Sequence, residues 1–572
     1  MSSKKTLGHV IDDFKKNESQ LESTIANGLK GNRRQALATM GALGATGLGM
    51  MLSGAANAIT VGPLSPAARR DAAELIRVNQ ANINAQNTSL LLQPTNGDEE
   101  LYANKIGSFT KGLRHNVSDG SLANPADFDV LVDGLSQASQ SALDTVPLVG
   151  TRKLVSPLAG WAYEIQGGDG PSFKIPAPPA FNSREQAAEI AENYWAALLR
   201  DVNFNDYNGH PIANAAAADL TSYGADFRGA KTNNNTGVVT PNLLFRGLTP
   251  GDKVGPWLSQ FWFHPIPFGA NSVEPRIFKP RAGDDYGTTW GEYVSIQDGN
   301  IPRPANPFER RLSYLHDGRG IGEWVHIDVL YQAYFMAFLA LDAMGAPLDA
   351  GNPYNGSRTQ VGFTSFGVAH IATLVAEVTT RALHATWFQK WFAHRRLRPE
   401  AQGGAVHAKL NRGANFDIHP QILNSINSAN GLGGFLPAGN SLLPLAFPEG
   451  SPMHPAYTAG HATVAGACVT ILKAWYDESW AIPNPLVPNA NGNRVQPYSG
   501  PALTVGGELN KIASNVAMGR NVAGVHWRSD STYSLNLGEA IAIQLLQEQR
   551  ETYAEDFNGF QLTKFDGTTI TV

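Results

Sequence analysis

In 451-SPMHPAYTAGHATVAGACVTILKAWY-476, a proline-rich turn runs through Gly460 and His461 into a long apolar segment. The segment lacks charges until Lys473 and contains many Ala residues, so it predicts a helix over 460–480 that lies inside a helical core. Glycine permits close approach to the backbone, and the free N–H groups at a helix start form a cradle for an anion. His454 and His461 could then act as an acid and a base; ordinary loop histidines at a helix start are the alternative.

Helical patterns continue on both sides of this segment. Ser65-Pro66 and Ser183 each precede an amphipathic run with the features of a capped helix. Further helices are predicted over 323–345, 366–394, 507–519 and 531–550, separated by Gly/Pro/Asn-rich connectors at 411–457 and 481–504. The region 203–310 is predicted to form long loops with short strands at most. We therefore expect an all-α helical-bundle domain over 61–572 with long loops, preceded by an N-terminal arm over 1–60.

Composition restricts the classes of protein that fit. The 572 residues include 44 Lys and Arg against 49 Asp and Glu, a net charge of −5, which argues against nucleic acid as the main partner. A hydrophobic content of 42% excludes a disordered chain. A single cysteine, Cys468, excludes an intrachain disulfide framework. The sequence has no uninterrupted apolar run long enough to predict a membrane-spanning helix.

Two more segments concentrate positive charge and imidazole beside apolar helices. In 390-KWFAHRRLRPE-400, Lys390, His394 and Arg398 have helical spacing and would line one face if the helix continued to Pro399. In 519-GRNVAGVHWRSD-530, Arg520 and His526 are separated by five small or apolar residues, and Asp530 could balance a cation such as Arg528. A basic helix end in solvent and a structural histidine are the ordinary alternatives.

Together the three segments predict a site for an oxyanion. They supply fixed positive charges, a backbone donor and imidazoles: Lys390, Arg398, Arg520, Gly460, His454, His461 and His526. This set suits a tetrahedral or trigonal-bipyramidal oxyanion with one imidazole as a direct ligand. It suits zinc poorly, since no carboxylate or thiolate has ligand spacing beside the histidines, and it contains no phosphate-binding loop for a nucleotide.

These segments resemble the signature of the vanadium-dependent haloperoxidases and the related acid phosphatases. That signature is Lys-x-Arg-Pro, then Pro-Ser-Gly-His, then Arg-x5-His-x3-Asp; the third element is complete here. Seven residues separate Lys390 from Arg398, as in algal bromoperoxidases, whereas the phosphatases usually have six. HRRLRPEA, EGSPMHPAY, GHATVAGACVTILKA, GELNKIASNVAMGRN and AGVHW are similar to the red-algal enzymes, over roughly Asn352 to Leu546.

The resemblance implies a vanadate cofactor and a role for each residue. His526 would bind vanadium, Lys390, Arg398 and Arg520 would neutralise its oxygens, and the Gly460 N–H would donate to the oxyanion. His461 would hold the apical oxygen, His454 would carry protons during peroxide binding, Lys390 would also polarise the peroxide, and Trp387 would lie near the halide pocket. The implied reaction oxidises bromide, with chloride and iodide as further candidates, using hydrogen peroxide, and halogenates small organic acceptors. A homo-oligomer built from dimers, up to a dodecamer, and a structural calcium are implied on the same grounds.

Two positions depart from the family pattern. The family's serine before Gly-His is Ala459 here, which removes one hydrogen bond to the oxyanion. Trp387 stands where the red-algal enzymes have arginine, so halide preference is open. A vanadate-inhibited acid phosphatase that forms a phosphohistidine at His526 is the alternative enzyme, and a non-catalytic shell protein is the alternative outside catalysis.

The N-terminus contains a candidate export signal. Arg33-Arg34 precede a Gly- and Ala-rich run that ends at Ala56-Asn57-Ala58, the small-x-small pattern of a cleavage site. The 32 residues before the arginine pair are long for such a signal, and a flexible arm or a helix on a neighbouring subunit explains the run equally well. A periplasmic or extracellular protein follows from the first interpretation and a cytoplasmic one from the second.

Overall fold

A computed structural model describes residues 65–87, 93–305 and 307–572, so the candidate export signal lies outside the described residues. The chain divides into two compact units, residues 1–83 and 84–572. The described part of the first unit begins at Ser65, whose Oγ accepts a hydrogen bond from Ala68 N at 3.3 Å and caps the helix that starts at Pro66. The capped helix predicted there is confirmed.

The described residues are mainly helical. The α-helices are α1 Pro66–Asn87, α2 Asp98–Leu101, α3 Pro125–Ser136, α4 Gln140–Leu143, α5 Arg184–Leu198, α6 Pro211–Ser222, α7 Thr232–Asn235, α8 Trp290–Gln297, α9 Gly318–Ile327, α10 Gln332–Met344, α11 Val368–Phe388, α12 Pro399–Asn411, α13 Pro420–Asn427, α14 Gly460–Trp475, α15 Val505–Val522 and α16 Arg528–Arg550. Short 3₁₀ helices cover Pro157–Trp161, Gly170–Ser172, Phe204–Asp206, Gly224–Asp226, Pro241–Leu243, Gln260–Trp262 and Leu432–Gly434, and a π-helical turn covers Gln389–His394.

Within the described residues, the strands form three separate antiparallel hairpins. They are β1 Ile266–Phe268 with β2 Asn271–Val273, β3 Leu486–Pro488 with β4 Val495–Pro497, and β5 Gln561–Thr563 with β6 Thr569–Thr571. In register, Ile266 pairs with Val273, Leu486 with Pro497 and Gln561 with Thr571. An all-α fold with few short strands, as predicted, is confirmed.

Helix α14 is the centre of the core and packs against α11, α15 and α16. Small residues permit this packing, because a Cβ on Gly466 would lie 2.1 Å from the Leu535 carbonyl oxygen and a Cβ on Gly538 would lie 2.0 Å from the Thr463 carbonyl oxygen. The backbones of α14 and α16 are therefore in direct contact at these two glycines. At the start of α14, Ala459 N also donates to Ser534 Oγ of α16 at 2.8 Å.

Several predicted boundaries were wrong. The region 203–310 contains helices α6 and α8, and the predicted connector 411–457 contains α13. The predicted helix over 323–345 is broken into α9 and α10, which are bent by 103° around Asp328. Proline explains two of these errors, since Pro211 and Pro420 each lie at the first turn of a helix, where a missing N–H costs nothing.

Among the described residues, no single helix is long and apolar enough to cross a membrane. In the described ranges, the bent pair α9 and α10 is long and apolar enough only when the two helices are counted together.

Candidate active site

The three motif segments meet at one buried site. Lys390 comes from the π-helical turn, Arg398 directly precedes α12, and Arg520 lies in the last turn of α15. Gly460 and His461 begin α14, His454 lies in the loop before it, and His526 lies two residues before α16. The side chains of Lys390, Arg398, Arg520, His454 and His526 are all buried.

Arg398 connects two of the histidines. Its Nη1 lies 3.0 Å from His526 Nε2, and its Nη2 lies 2.9 Å from His454 Nδ1. Its Nε and Nη1 also donate to the His454 and Val525 carbonyls at 2.9 and 2.6 Å. Because a guanidinium only donates hydrogen bonds, both ring nitrogens that face Arg398 must accept.

The orientation of His526 is therefore determined on both sides of the ring. Its Nδ1 lies 2.8 Å from Asp530 Oδ2, so the proton is on Nδ1 and the lone pair is on Nε2. Burial, followed by the charges of Arg398, Lys390 and Arg520, lowers the pKa of His526 well below its ordinary value. A neutral imidazole with a lone pair turned toward a cationic pocket is a suitable ligand for an electron-poor centre.

Lys390, Arg398 and Arg520 are cations without an acidic partner in the described part of the chain. Lys390 Nζ donates to the Pro455 and Ala456 carbonyls at 2.6 and 2.9 Å, and Arg520 Nη1 donates to the Val325 carbonyl at 2.6 Å. Within the described ranges, none of the three forms an ion pair with a carboxylate. Burial lowers the pKa of Arg398 to about 9 and that of Arg520 to about 10, and burial with the charge of Arg398 lowers the pKa of Lys390 well below its ordinary value.

An anion would balance this charge, and the site has a donor available for it. Buried Arg520 Nε has no hydrogen-bond partner within the described residues. The first N–H groups of α14 have no partner within their own helix, and Ala459, which precedes the helix, offers no side-chain cap. Buried cations, a free guanidinium N–H and a helix N-terminus fit an oxyanion such as vanadate.

His461 and His454 lie at the edge of this cluster. His461 Nε2 lies 2.9 Å from Asp328 Oδ1, and burial outweighs that carboxylate, so the pKa of His461 is lowered. The His454 ring centre lies 4.9 Å from that of half-buried Trp387, whose Nε1 donates to the Val155 carbonyl at 2.9 Å. Burial and the charges of Lys390 and Arg398 lower the pKa of His454 well below its ordinary value.

Curated relatives match this chain over most of its length. A vanadium-dependent bromoperoxidase from Corallina pilulifera is 34% identical over 579 residues, covering 85% of this chain and 96% of the relative. The vanadium-dependent bromoperoxidase from Ascophyllum nodosum is 32% identical and covers 89% of this chain and 93% of the relative.

The chain belongs to the vanadium-dependent bromoperoxidases.

A solved structure agrees with this family. The second vanadate-dependent bromoperoxidase from Ascophyllum nodosum, described as a homohexamer, aligns with a TM-score of 0.83 at 30% identity, covering 92% of this chain and 94% of that one. The family model of the second helical-bundle domain of VCPO matches residues 425–555, which contain α14, α15 and α16. The fold and family implied by the sequence resemblance are confirmed.

Three local predictions about this bromoperoxidase site were wrong. Lys390, His394 and Arg398 do not share a helix face, because the chain turns at Arg395, where φ is 39°, and Arg398 begins the approach to the next helix. Pro399 starts α12 and does not end α11, which ends at Phe388 before the π-helical turn. Asp530 does not balance Arg528, which pairs with Glu192; Asp530 pairs with His526 and Arg396.

The sequence reasoning missed three residues near the site. Asp328 contacts His461 from the break between α9 and α10, and its sequence context contains no motif. Arg396, which lies in the segment 390–400, donates to Asp530 at 2.7 Å. Lys111, nearly 290 residues from Glu400 in sequence, pairs with that carboxylate at 2.7 Å and donates to the Ser451 carbonyl at 2.7 Å. The one sequence signal for Arg396 is its place two residues before Arg398-Pro399-Glu400.

Proposed function

We propose that this enzyme uses vanadate and hydrogen peroxide to oxidise bromide to a hypohalous species, which halogenates small organic acceptors. Chloride and iodide are further candidate halides. The observation that carries this proposal is the set of three buried cations around a neutral His526, none of which pairs with a carboxylate among the described residues. A buried charge is costly unless it is compensated, so such a cluster is expected where an anion binds.

We assign the cofactor contacts to six residues. His526 Nε2 would bind vanadium, and Lys390, Arg398 and Arg520 would donate to its oxygens together with the Gly460 N–H. His461 would contact an oxygen of the bound vanadate. When bound, vanadate supplies a Lewis acid that makes hydrogen peroxide electrophilic toward a halide.

His454 and His461 would carry protons. Their lowered pKa values keep both imidazoles neutral near pH 7, so His461 can accept a proton from hydrogen peroxide, and His454 can do so at Nδ1 once that nitrogen is released from its hydrogen bond with Arg398. Asp328 orients His461 by accepting from its Nε2, which leaves Nδ1 as the proton acceptor. Lys390 would also place its positive charge beside the peroxide oxygens and so favour attack by the halide.

Trp387 is the proposed wall of the halide pocket. The centre of its ring lies 4.9 Å from the centre of the His454 ring. Lys390 Nζ lies 5.9 Å from the centre of the Trp387 ring. An apolar ring beside a fixed cation favours a large, weakly hydrated anion such as bromide.

The test uses purified protein, vanadate, hydrogen peroxide and bromide with a phenolic dye as acceptor. Dye bromination that depends on vanadate is expected, and His526→Ala should abolish it and abolish vanadate binding by the apoprotein. His407→Ala is the matched control, since His407 lies outside the cluster and should leave both intact. Phosphoester hydrolysis without dye bromination would instead indicate the phosphatase alternative, and neither activity would indicate a non-catalytic protein.

We also propose that the enzyme is a homo-oligomer built from dimers, with a dodecamer as the largest expected assembly. The homohexameric neighbour supports an oligomer. Light scattering after size-exclusion chromatography measures the number of copies, and a monomeric mass would contradict the proposal.

A structural calcium, an arm over residues 1–60 and one catalytic domain over 61–572 stay predictions. Within the described residues, no group of three or more His, Cys, Asp or Glu side chains could hold a metal ion, so we assign no calcium ligands.

A further inference from the structure

Arg396 is a buried cation that lies outside the set of residues assigned to the cofactor. Its side chain is fully enclosed, and its guanidinium lies 5.0 Å from the Trp527 ring centre. Nη1 donates to Asp530 Oδ1 at 2.7 Å, and Nη2 donates to Glu189 Oε2 at 2.8 Å. The planar fork of arginine therefore joins two buried carboxylates at once.

Asp530 connects this ion pair to the site. One oxygen of Asp530 accepts from Arg396, and the other accepts from His526 Nδ1 at 2.8 Å and from Trp527 N at 3.1 Å. Both carboxylate oxygens of Asp530 therefore accept hydrogen bonds. A hydrogen-bonded row runs from Glu189 through Arg396 and Asp530 to His526.

Glu189 holds the far end of the row in place. Its Oε1 accepts from Ser529 N at 2.6 Å, and its Oε2 accepts from Ser529 Oγ at 3.0 Å. Ser529 Oγ is also 2.8 Å from Arg396 Nη1. Helix α5, which carries Glu189, is in this way attached to the first turn of α16, directly after His526.

We propose that Arg396 is a positioning residue: by fixing the Asp530 carboxylate, it holds the His526 ring with Nδ1 protonated and Nε2 turned into the pocket. The partner of one imidazole nitrogen determines what the other nitrogen offers, and such outer contacts alter metal affinity by about 10- to 100-fold. Without Arg396, Asp530 loses its only ion-pair partner besides His526 within the described residues, and its carboxylate is held through Oδ2 alone, by His526 Nδ1 and Trp527 N. The inference rests on the proposed function, since it concerns the same site.

The first measurement is vanadate binding by the apoprotein, by equilibrium dialysis with the vanadium counted in each chamber. Arg396→Met is expected to raise the Kd for vanadate by about 10- to 100-fold. With saturating vanadate, the KM for bromide should stay unchanged, because Arg396 is not assigned to the halide pocket. Arg395→Met is the matched control: the neighbouring arginine pairs with Glu99 instead, and its loss should leave the Kd within twofold of the wild-type value.

A double-mutant cycle separates positioning from a general structural role. If Arg396 acts through Asp530, then Arg396→Met should have little further effect on the Kd in an Asp530→Asn background. Independent effects, whose fold-changes multiply, would overturn the inference. Thermal unfolding of each apoprotein verifies that binding is measured on folded protein.

If Arg396→Met does not fold, a second variant tests the same role. Arg396→Lys keeps the charge but lacks the fork that reaches both carboxylates, so a Kd several-fold above the wild-type value is expected. A folded variant of either kind with an unchanged Kd would overturn the role of Arg396. Wild-type apoprotein that binds no vanadate would overturn the proposed function itself, which is a different result.

Discussion

At the scale of single residues, the surroundings of each charge decide its use. Arg396 and Arg398 are two positions apart and both are buried, yet only Arg396 pairs with carboxylates. Arg398 donates to carbonyls and imidazoles, so its charge is not neutralised by an acidic group. One arginine therefore stabilises the protein scaffold, while the other is available to an anion.

His326 provides a prediction about pH. Burial lowers its pKa, but hydrogen bonds to Glu323 and Glu449 outweigh burial and raise the pKa to about 9. A raised histidine pKa stabilises the folded protein below the unfolded value of 6.5 and this contribution is lost as the pH rises through about 9. The His326 contribution to the free energy of unfolding should therefore fall by up to about 3 kcal/mol between these pH values.

Urea unfolding of the wild type and His326→Gln at a series of pH values measures this contribution. The difference between the two proteins is expected to shrink as the pH rises. A difference that is the same at pH 6 and pH 9.5 would show that the ion pairs of His326 do not stabilise the fold.

At the scale of elements, the start of α14 lacks a cap that other helices have. Ser183 Oγ accepts from Gln186 N at 3.1 Å before α5, and Thr504 Oγ1 accepts from Gly507 N at 3.2 Å before α15. Ala459 has no side-chain oxygen for this purpose, and its N–H donates to Ser534 Oγ at 2.8 Å. The central helix of the core thus begins with uncapped N–H groups beside the cationic cluster.

Ala459→Ser tests both uses of a hydroxyl at this position. As a helix cap it should stabilise the apoprotein by about 1 kcal/mol, measured by urea unfolding. As a donor to bound vanadate it should lower the Kd about tenfold, since a hydrogen bond to a charged group contributes about 1.5–3 kcal/mol.

Thr504→Ala is the reverse control and should destabilise the apoprotein by about 1 kcal/mol without changing the Kd for vanadate. An Ala459→Ser protein with lower stability and unchanged affinity would mean that the hydroxyl finds neither partner.

At the scale of the whole molecule, the site is assembled from distant parts of the chain. Lys390 and Arg520 are brought together because α11 and α15 both pack against α14. The buried positive charge opposes folding until an anion compensates it. Cofactor binding and global stability should therefore be coupled.

Vanadate is expected to stabilise the apoprotein against heat. At a free vanadate concentration 100 times the Kd, a ligand that binds only the folded state contributes about 2.7 kcal/mol. Differential scanning calorimetry with increasing vanadate measures the rise in Tm, and His526→Ala should show no such rise. A Tm that is independent of vanadate in the wild type would contradict coupling between the site and the fold.

Local patterns were sufficient for much of this molecule. The capped starts at Ser65 and Ser183, the apolar segment of α14 and the spacing of Arg520, His526 and Asp530 are all properties of short stretches. The predicted helices over 507–519 and 531–550 correspond to α15 and α16, whose observed bounds extend a few residues farther. Pro399 was interpreted as a helix end, and Pro211 and Pro420 lie in stretches predicted to be loop or connector, although each of the three prolines begins a helix.

The amino-acid sequence by itself determined which groups are present for the chemistry: three cations, three imidazoles and a glycine at a helix start, in the spacing of a known family. Only the tertiary structure decided how they are partnered, as with Asp328 at His461 and Arg396 at Asp530. The physical reason is that helix periodicity and capping depend on residues within a turn or two. The partner of a buried charge, by contrast, depends on which distant helices pack together.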